Sequence, residues 1–117
     1  MYSKTVRRLV AEMPNSGDLP EATHSARGEN PVCGDVVRFD LWIVDAVVRE
    51  CAFKASGCPA AIASAAAVTL LCRGKPVKAC LELGPGDLTK FLEGLPPHKL
   101  HAPQLAIEAL RRALGSG

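Results

Sequence analysis

Aromatic residues are scarce in this sequence, and neither sign of charge dominates. Aromatics make up 4% of its 117 residues, so a single modest core has to be built from alanine, valine, leucine and isoleucine. The 14 basic and 12 acidic residues are interleaved, which gives a formal net charge of +2 without a run of lysine and arginine. This composition argues against a nucleic-acid-binding protein and indicates no strongly acidic partner.

Long hydrophobic segments are also missing. The longest apolar run, residues 59–71, spans about 13 residues, whereas a membrane-spanning helix needs roughly 20. No apolar segment follows the basic residues near the N-terminus, so we expect no secretory signal peptide. The sequence therefore predicts a protein without a membrane association.

The sequence also lacks the cysteine pattern of a disulfide framework. The chain has five cysteines, an odd number at irregular spacing: Cys33, Cys51, Cys58, Cys72 and Cys80. This favours a reducing compartment and a cytoplasmic location. We expect Cys51, Cys72 and Cys80 to act as small buried hydrophobic residues.

The first half of the chain predicts a helix followed by strands. The predicted elements are a helix over residues 3–13 capped by Ser3, a polar segment over 21–29 compatible with an edge strand, and strands over 36–43 and 47–55 joined by a turn at Asp45–Ala46. Apolar and polar residues alternate along the two clear strands, which is typical of strands with one buried face. Their short connection predicts an antiparallel hairpin.

The second half predicts a run of helices. They cover residues 59–73, with Cys58 as N-cap and Gly74 as the stop, residues 75–83, a segment that begins near Asp87, and a last helix that begins at Pro103. The order of elements predicts an α+β fold. In it a small antiparallel sheet of about three strands carries helices packed on one face. We expect a single domain over residues 1–117, with residues 115–117 frayed.

One end of the predicted hairpin gathers candidate metal ligands. Cys33 precedes the first strand and Cys58 follows the second, so the antiparallel pairing brings both to the same end of the sheet. Asp35 and His101 can add an oxygen and a nitrogen donor, which would complete a tetrahedral zinc site. Thiolates also suit iron with bridging sulfide. Against this, Cys58 can be a structural cap, Asp35 a turn residue and His101 a surface histidine.

Three segments of the chain carry a family resemblance. They are GENPVCGDVVRFDLWI, FKASGCPAAIASAAAVTLLCRGK and LPPHKLHAPQLAIEALRRAL. In this order and at these intervals they resemble the motifs of the U-type iron–sulfur cluster assembly scaffolds, the IscU and NifU N-terminal proteins. The resemblance covers nearly the whole chain and implies a NifU-like α+β fold.

The resemblance implies a scaffold rather than an enzyme. Such a scaffold receives sulfur from a cysteine desulfurase and iron from a donor, and passes a [2Fe–2S] cluster to carrier proteins. The positions that match ligand or near-ligand positions are Cys33, Asp35, Cys58 and His101, and the family links Asp35 to cluster release. The positions that match a segment read by an Hsp70-type chaperone are Leu95, Pro96, Pro97 and Lys99.

Ala102 departs from the family pattern. The family has its third cysteine here, a cluster ligand and persulfide acceptor, and alanine can neither bind metal nor accept sulfur. The site can persist with its four remaining donors and hold a [2Fe–2S] cluster or zinc. Alternatively, the chain is a cluster-less paralogue that regulates a desulfurase or chaperone, with structural zinc or no metal. A zinc enzyme is a third interpretation, but only Asp35 lies beside the site as a general base.

Overall fold

The computed structural model describes residues 1–117 and confirms the predicted α+β class. Its elements are α1 (Lys4–Glu12), β1 (His24–Glu29), β2 (Val36–Val44), β3 (Val47–Ser56), α2 (Pro59–Cys72), α3 (Val77–Leu81), α4 (Pro85–Phe91), a 3-10 turn (Pro97–Lys99) and α5 (His101–Leu114). None of the helices combines the length and apolarity needed to cross a bilayer.

The sheet has three antiparallel strands in the order β1-β2-β3. Phe39 of β2 lies opposite Phe53 of β3, and both side chains are buried in the core. Asp45 and Ala46 form the predicted two-residue turn with positive φ values of 51° and 60°, as expected of a tight hairpin whose turn matches the strand twist. The turn, together with a bulge between Trp42 and Ile43 that shifts the register by one residue, places the start of β2 beside the end of β3.

All the major helices that contact the sheet pack on one face. α2 lies against β2 and β3, while α5 lies against β1 and β2 and also contacts α2. A Cβ added to Gly28 of β1 would lie 3.2 Å from Leu105 Cδ1, so β1 and α5 approach closely. The alanine-rich α2 is buried along most of its length, which fits its lack of a polar face.

The start of the last helix differs from the prediction. α5 begins at His101, two residues before Pro103. A proline anywhere in the first turn is tolerated because the amides there have no intrahelical acceptor. His101 and Ala102 are therefore held on a regular helix rather than on the preceding loop.

Candidate metal centre

The candidate ligands come from three chain segments that meet at one end of the sheet. Cys33 and Asp35 lie in the loop that leads into β2, and Cys58 follows β3 as the N-cap residue of α2. His101 enters from α5. Because the start of β2 pairs with the end of β3, the hairpin brings Cys33 and Cys58 to this end, as predicted.

The Asp35 Oδ2 atom is the common contact of this group. It lies 3.2 Å from Cys33 Sγ and 3.5 Å from Cys58 Sγ. His101 Nε2 lies 3.5 Å from the same oxygen and 3.6 Å from Cys33 Sγ. The donor atoms of Cys33, Asp35 and His101 all lie within 4.8 Å of one another. A cation among them would meet a sulfur, an oxygen and a nitrogen donor.

Cys58 stands apart from this compact trio. Its Sγ contacts Asp35 Oδ2, but it does not belong to the set of donor atoms that are mutually within 4.8 Å. Its side chain is partly buried and makes no capping hydrogen bond to α2. A helix N-terminus favours a thiolate, which makes Cys58 the candidate for the fourth donor of a tetrahedral set.

The carboxylate of Asp35 is held in its charged form although it is 2% exposed. Burial by itself acts to raise the pKa of Asp35. The Cys58 backbone N–H, which donates to Oδ1 at 3.0 Å, acts in the opposite direction, as do hydrogen bonds from the two thiols and His101. Together these bonds hold the pKa below its ordinary value. The site therefore offers a negative charge at neutral pH.

Ala102 is fully buried in a small apolar cluster with Ala60 and Ala61 of α2. Three partly buried residues pack against this cluster: Tyr2, Cys58 and Leu95. Position 102 thus adjoins the neighbourhood of Cys58, but it supplies a methyl group and no donor atom.

The other three cysteines lie in the main core and cannot replace the missing ligand without rearrangement. Cys51 Sγ donates to Thr69 O at 3.3 Å, and Cys80 Sγ donates to Cys72 O at 3.8 Å. Burial raises the pKa of Cys51 to about 12. A hydrogen bond with the Cys80 thiol and burial raise the pKa of Cys72 as well. The expectation of small buried residues is confirmed.

Thiol labelling should separate these two groups of cysteines. In native protein free of metal we expect rapid reaction with a disulfide reagent at the exposed Cys33 and the partly buried Cys58 alone. The three buried thiols should react only after unfolding, because the reagent cannot reach them; the raised pKa values of Cys51 and Cys72 slow those two further. Mass spectrometry of labelled peptides checks this, with Cys33→Ser losing one rapid site. Rapid labelling of Cys51 in folded protein would contradict the assignment.

The predicted chaperone-binding segment lies close to the site along the chain. Leu95 and Pro96 are half-buried, and Pro97 is exposed at the start of the 3-10 turn. Lys99 is partly exposed two residues before His101. The structure leaves part of this segment accessible and anchors its other end through Leu95.

The sequence analysis assigned no role at the site to two of its neighbours, Tyr2 and Gly57. Tyr2, from the N-terminal segment, packs against the same small cluster as Cys58, and no local pattern indicates that contact. Gly57 precedes Cys58 and has a φ of +129°, a conformation that favours glycine. The Gly-Cys pair directly before a helix was the available signal for it.

The fold and site define a small α+β domain that presents thiol, carboxylate and imidazole groups at one end of its sheet. Comparison with known proteins identifies the family of this domain. The chain matches the family described as the NifU-like N terminal domain over residues 1–116, and it belongs to that family. The resemblance seen in the three sequence motifs is thereby confirmed.

Curated relatives extend over nearly the whole chain. It is 33% identical over 114 residues to the iron–sulfur cluster assembly scaffold protein IscU 1 of Archaeoglobus fulgidus, which covers 97% of this chain and 74% of that protein. It is 35% identical over 115 residues to the IscU scaffold protein of Aquifex aeolicus, with 97% and 73% covered.

Solved structures share the fold. A candidate scaffold protein for the SUF iron–sulfur assembly system from Fervidobacterium islandicum superposes with a TM-score of 0.81 at 19% identity, covering 97% of this chain and 96% of that chain. The N-terminal part of a NifU-like protein from Brucella abortus gives 0.73 at 20% identity, covering 96% and 90%. At these identities the likeness supports the fold alone.

Proposed function

We propose that this protein is a scaffold-like component of iron–sulfur cluster assembly that binds iron or a [2Fe–2S] cluster, or zinc, at the sheet end. The observation that carries the proposal is the convergence of Cys33, Asp35 and His101 donor atoms within 4.8 Å, with the Cys58 thiol on the same carboxylate oxygen. Family membership and relatives named IscU scaffold proteins support it.

The cluster in this proposal is cargo. Cys33 is exposed, so its thiolate can meet a sulfur or iron donor without movement of the core. Cys58 supplies the second thiolate from the helix terminus, and Asp35 and His101 complete the ligand set. Sulfur ligands suit iron–sulfur clusters and zinc alike. Because this protein has one thiolate ligand fewer than a family member with three cysteines, its bound cluster is more labile than the cluster of such a member.

The partners in this proposal are those that the family resemblance implies. A cysteine desulfurase supplies sulfur, an iron donor supplies iron, carrier proteins take the cluster, and an Hsp70-type chaperone contacts the segment from Leu95 to Lys99. The protein acts as one cytoplasmic domain over residues 1–117 and catalyses no reaction of its own. The partial exposure of Pro97 and Lys99 supports access to that segment.

A second candidate function rests on the burial of Ala102. Position 102 is 0% exposed and filled by apolar contacts with α2, so nothing there accepts sulfur. The protein would then dock on a desulfurase or chaperone and regulate it without carrying a cluster, holding structural zinc or no metal.

Anaerobic reconstitution with iron and sulfide tests the first function. We expect visible absorbance of a [2Fe–2S] cluster and retention of iron after desalting, because three donor atoms lie within 4.8 Å of one another and the Cys58 thiol contacts the same carboxylate oxygen. Cys33→Ser should lose both signals, whereas Cys80→Ala, which removes a thiol distant from the site, should keep them.

The two functions differ in this assay. If neither wild-type absorbance nor retained iron appears, the scaffold proposal fails. A stable complex with a purified desulfurase, together with a changed desulfurase rate under those conditions, would then favour the regulatory function. Metal analysis of the purified protein separates zinc from iron.

A further inference from the structure

Gly57 shares its space with the Asp35 carboxylate. A Cβ added to Gly57 would overlap Asp35 Oδ1 and lie 2.7 Å from Asp35 Cγ and 3.0 Å from Asp35 Cα. A real Cβ essentially never approaches other heavy atoms closer than 3.0 Å, and these neighbours belong to the short side chain and the backbone of Asp35. The carboxylate therefore occupies the volume that any side chain at position 57 would take.

In this position the two carboxylate oxygens of Asp35 make different contacts. Oδ1 accepts the Cys58 backbone N–H at 3.0 Å. Oδ2 faces the donor atoms of Cys33, Cys58 and His101 at 3.2 to 3.5 Å. Oδ1 is thus turned toward the backbone of α2, and Oδ2 is the oxygen that faces the candidate ligands.

We propose that Gly57 is a positioning residue that holds the Asp35 carboxylate against the Cys58 amide and restricts it to single-oxygen ligation. The inference rests on the proposed metal-binding function of the site. One oxygen with two sulfurs and one nitrogen gives four ligands, the number that zinc and tetrahedral cobalt prefer. A second oxygen from Asp35 would raise the coordination number to five and weaken that preference.

Backbone strain is the competing explanation for a glycine at this position, and Gly17 allows a matched control. Gly17 has a φ of +131°, close to the +129° of Gly57, but a Cβ on Gly17 would meet no atom within 4 Å. Gly17→Ala therefore imposes the same backbone strain without touching a ligand. Effects that Gly57→Ala shows beyond those of Gly17→Ala report on the Asp35 contact.

Cobalt(II) titration of metal-free protein gives the first readout. We expect wild type and Gly17→Ala to show the intense d–d bands of four-coordinate cobalt. Gly57→Ala should bind about 10- to 100-fold more weakly, the usual cost of losing a group that orients a ligand. Its d–d bands should also be weaker, because a displaced carboxylate changes the coordination number. Wild-type bands and affinity in Gly57→Ala would overturn the proposal.

Hydrogen exchange at the Cys58 amide gives a readout that needs no metal. Exchange should be slow in wild type and Gly17→Ala, and faster in Gly57→Ala, because the acceptor Oδ1 has moved. If wild type binds no cobalt, the proposed metal site fails, while the Cys58 exchange still decides whether Gly57 positions Asp35. Unchanged exchange in Gly57→Ala would contradict the positioning role.

A double variant covers the case in which Gly57→Ala does not fold. Asp35→Ala removes the atoms that overlap position 57 most closely. Adding Gly57→Ala to Asp35→Ala should therefore lower the melting temperature less than adding it to wild type. Gly17→Ala should cost the same in both backgrounds, since the two sites share no contact. Equal costs for Gly57→Ala in the two backgrounds would refute the proposal.

Discussion

Asp35→Ala is expected to weaken zinc binding by more than about 100-fold, beyond the roughly 10- to 100-fold that loss of an outer partner costs. The carboxylate supplies the oxygen that lies within 3.2 to 3.5 Å of the other three side chains. Its removal deletes a ligand and a buried negative charge, since hydrogen bonds hold the pKa of Asp35 below its ordinary value. Competition titration against a zinc chelator measures the change in affinity.

Asp18→Ala is the matched control for this substitution. Asp18 is exposed and pairs at 2.6 Å with Lys54 on the surface, in an ion pair that involves none of the candidate ligands. The same change there should leave zinc affinity at the wild-type value. Equal affinity of Asp35→Ala and wild type would show that Asp35 is not a ligand and would leave Cys33 and His101 without their common partner.

Ala102→Cys is expected to raise cluster yield and lengthen cluster lifetime by about tenfold or more, as a third thiolate joins a thiol-poor site. Position 102 lies next to His101 in the first turn of α5 and packs in a cluster that includes Cys58. A sulfur there is within the neighbourhood of the existing ligands. Decay of the visible absorbance in air after reconstitution measures the lifetime.

Two substitutions control for the cost of a larger, more polar side chain in this buried place. Ala102→Ser has nearly the same shape as the cysteine variant but supplies no thiolate. Ala106→Cys buries a thiol one turn further along α5, in the main core. Neither should lengthen the lifetime. If Ala102→Cys also has no effect while remaining folded, divergence extends beyond one ligand, and the regulatory function gains support.

Local sequence patterns were sufficient to predict the hairpin and to predict at which end of the sheet the site lies. Alternation over residues 36–43 and 47–55, with a two-residue turn between them, predicts the antiparallel hairpin. The pairing of Phe39 with Phe53 further depends on a bulge between Trp42 and Ile43, which shifts the register by one residue. That pairing brings residues 33 and 58 to one end whatever covers the sheet. The start of α5 was misplaced because proline is allowed throughout a first turn, so its position does not mark the boundary.

These local sequence patterns could not predict how the donor atoms are arranged at the site. Cys33, Asp35 and His101 form the compact trio while Cys58 stands apart, and this depends on rotamers and on where α5 docks against β1. The contact of Gly57 with Asp35 joins residues 22 positions apart, and no periodicity encodes it. Such contacts arise from the shapes of segments packed together, which become defined when the chain folds.

The sequence by itself determined the α+β class, the family and the residue types available for a metal site, because periodicity and motif order are local properties of the chain. It also showed that position 102 carries no thiol. The tertiary structure alone decided that Asp35 Oδ2 is the shared contact of three ligand candidates, and that Ala102 is buried against α2. Those facts depend on distances between segments far apart in the chain, which are set by the packing of α2 and α5 against the sheet.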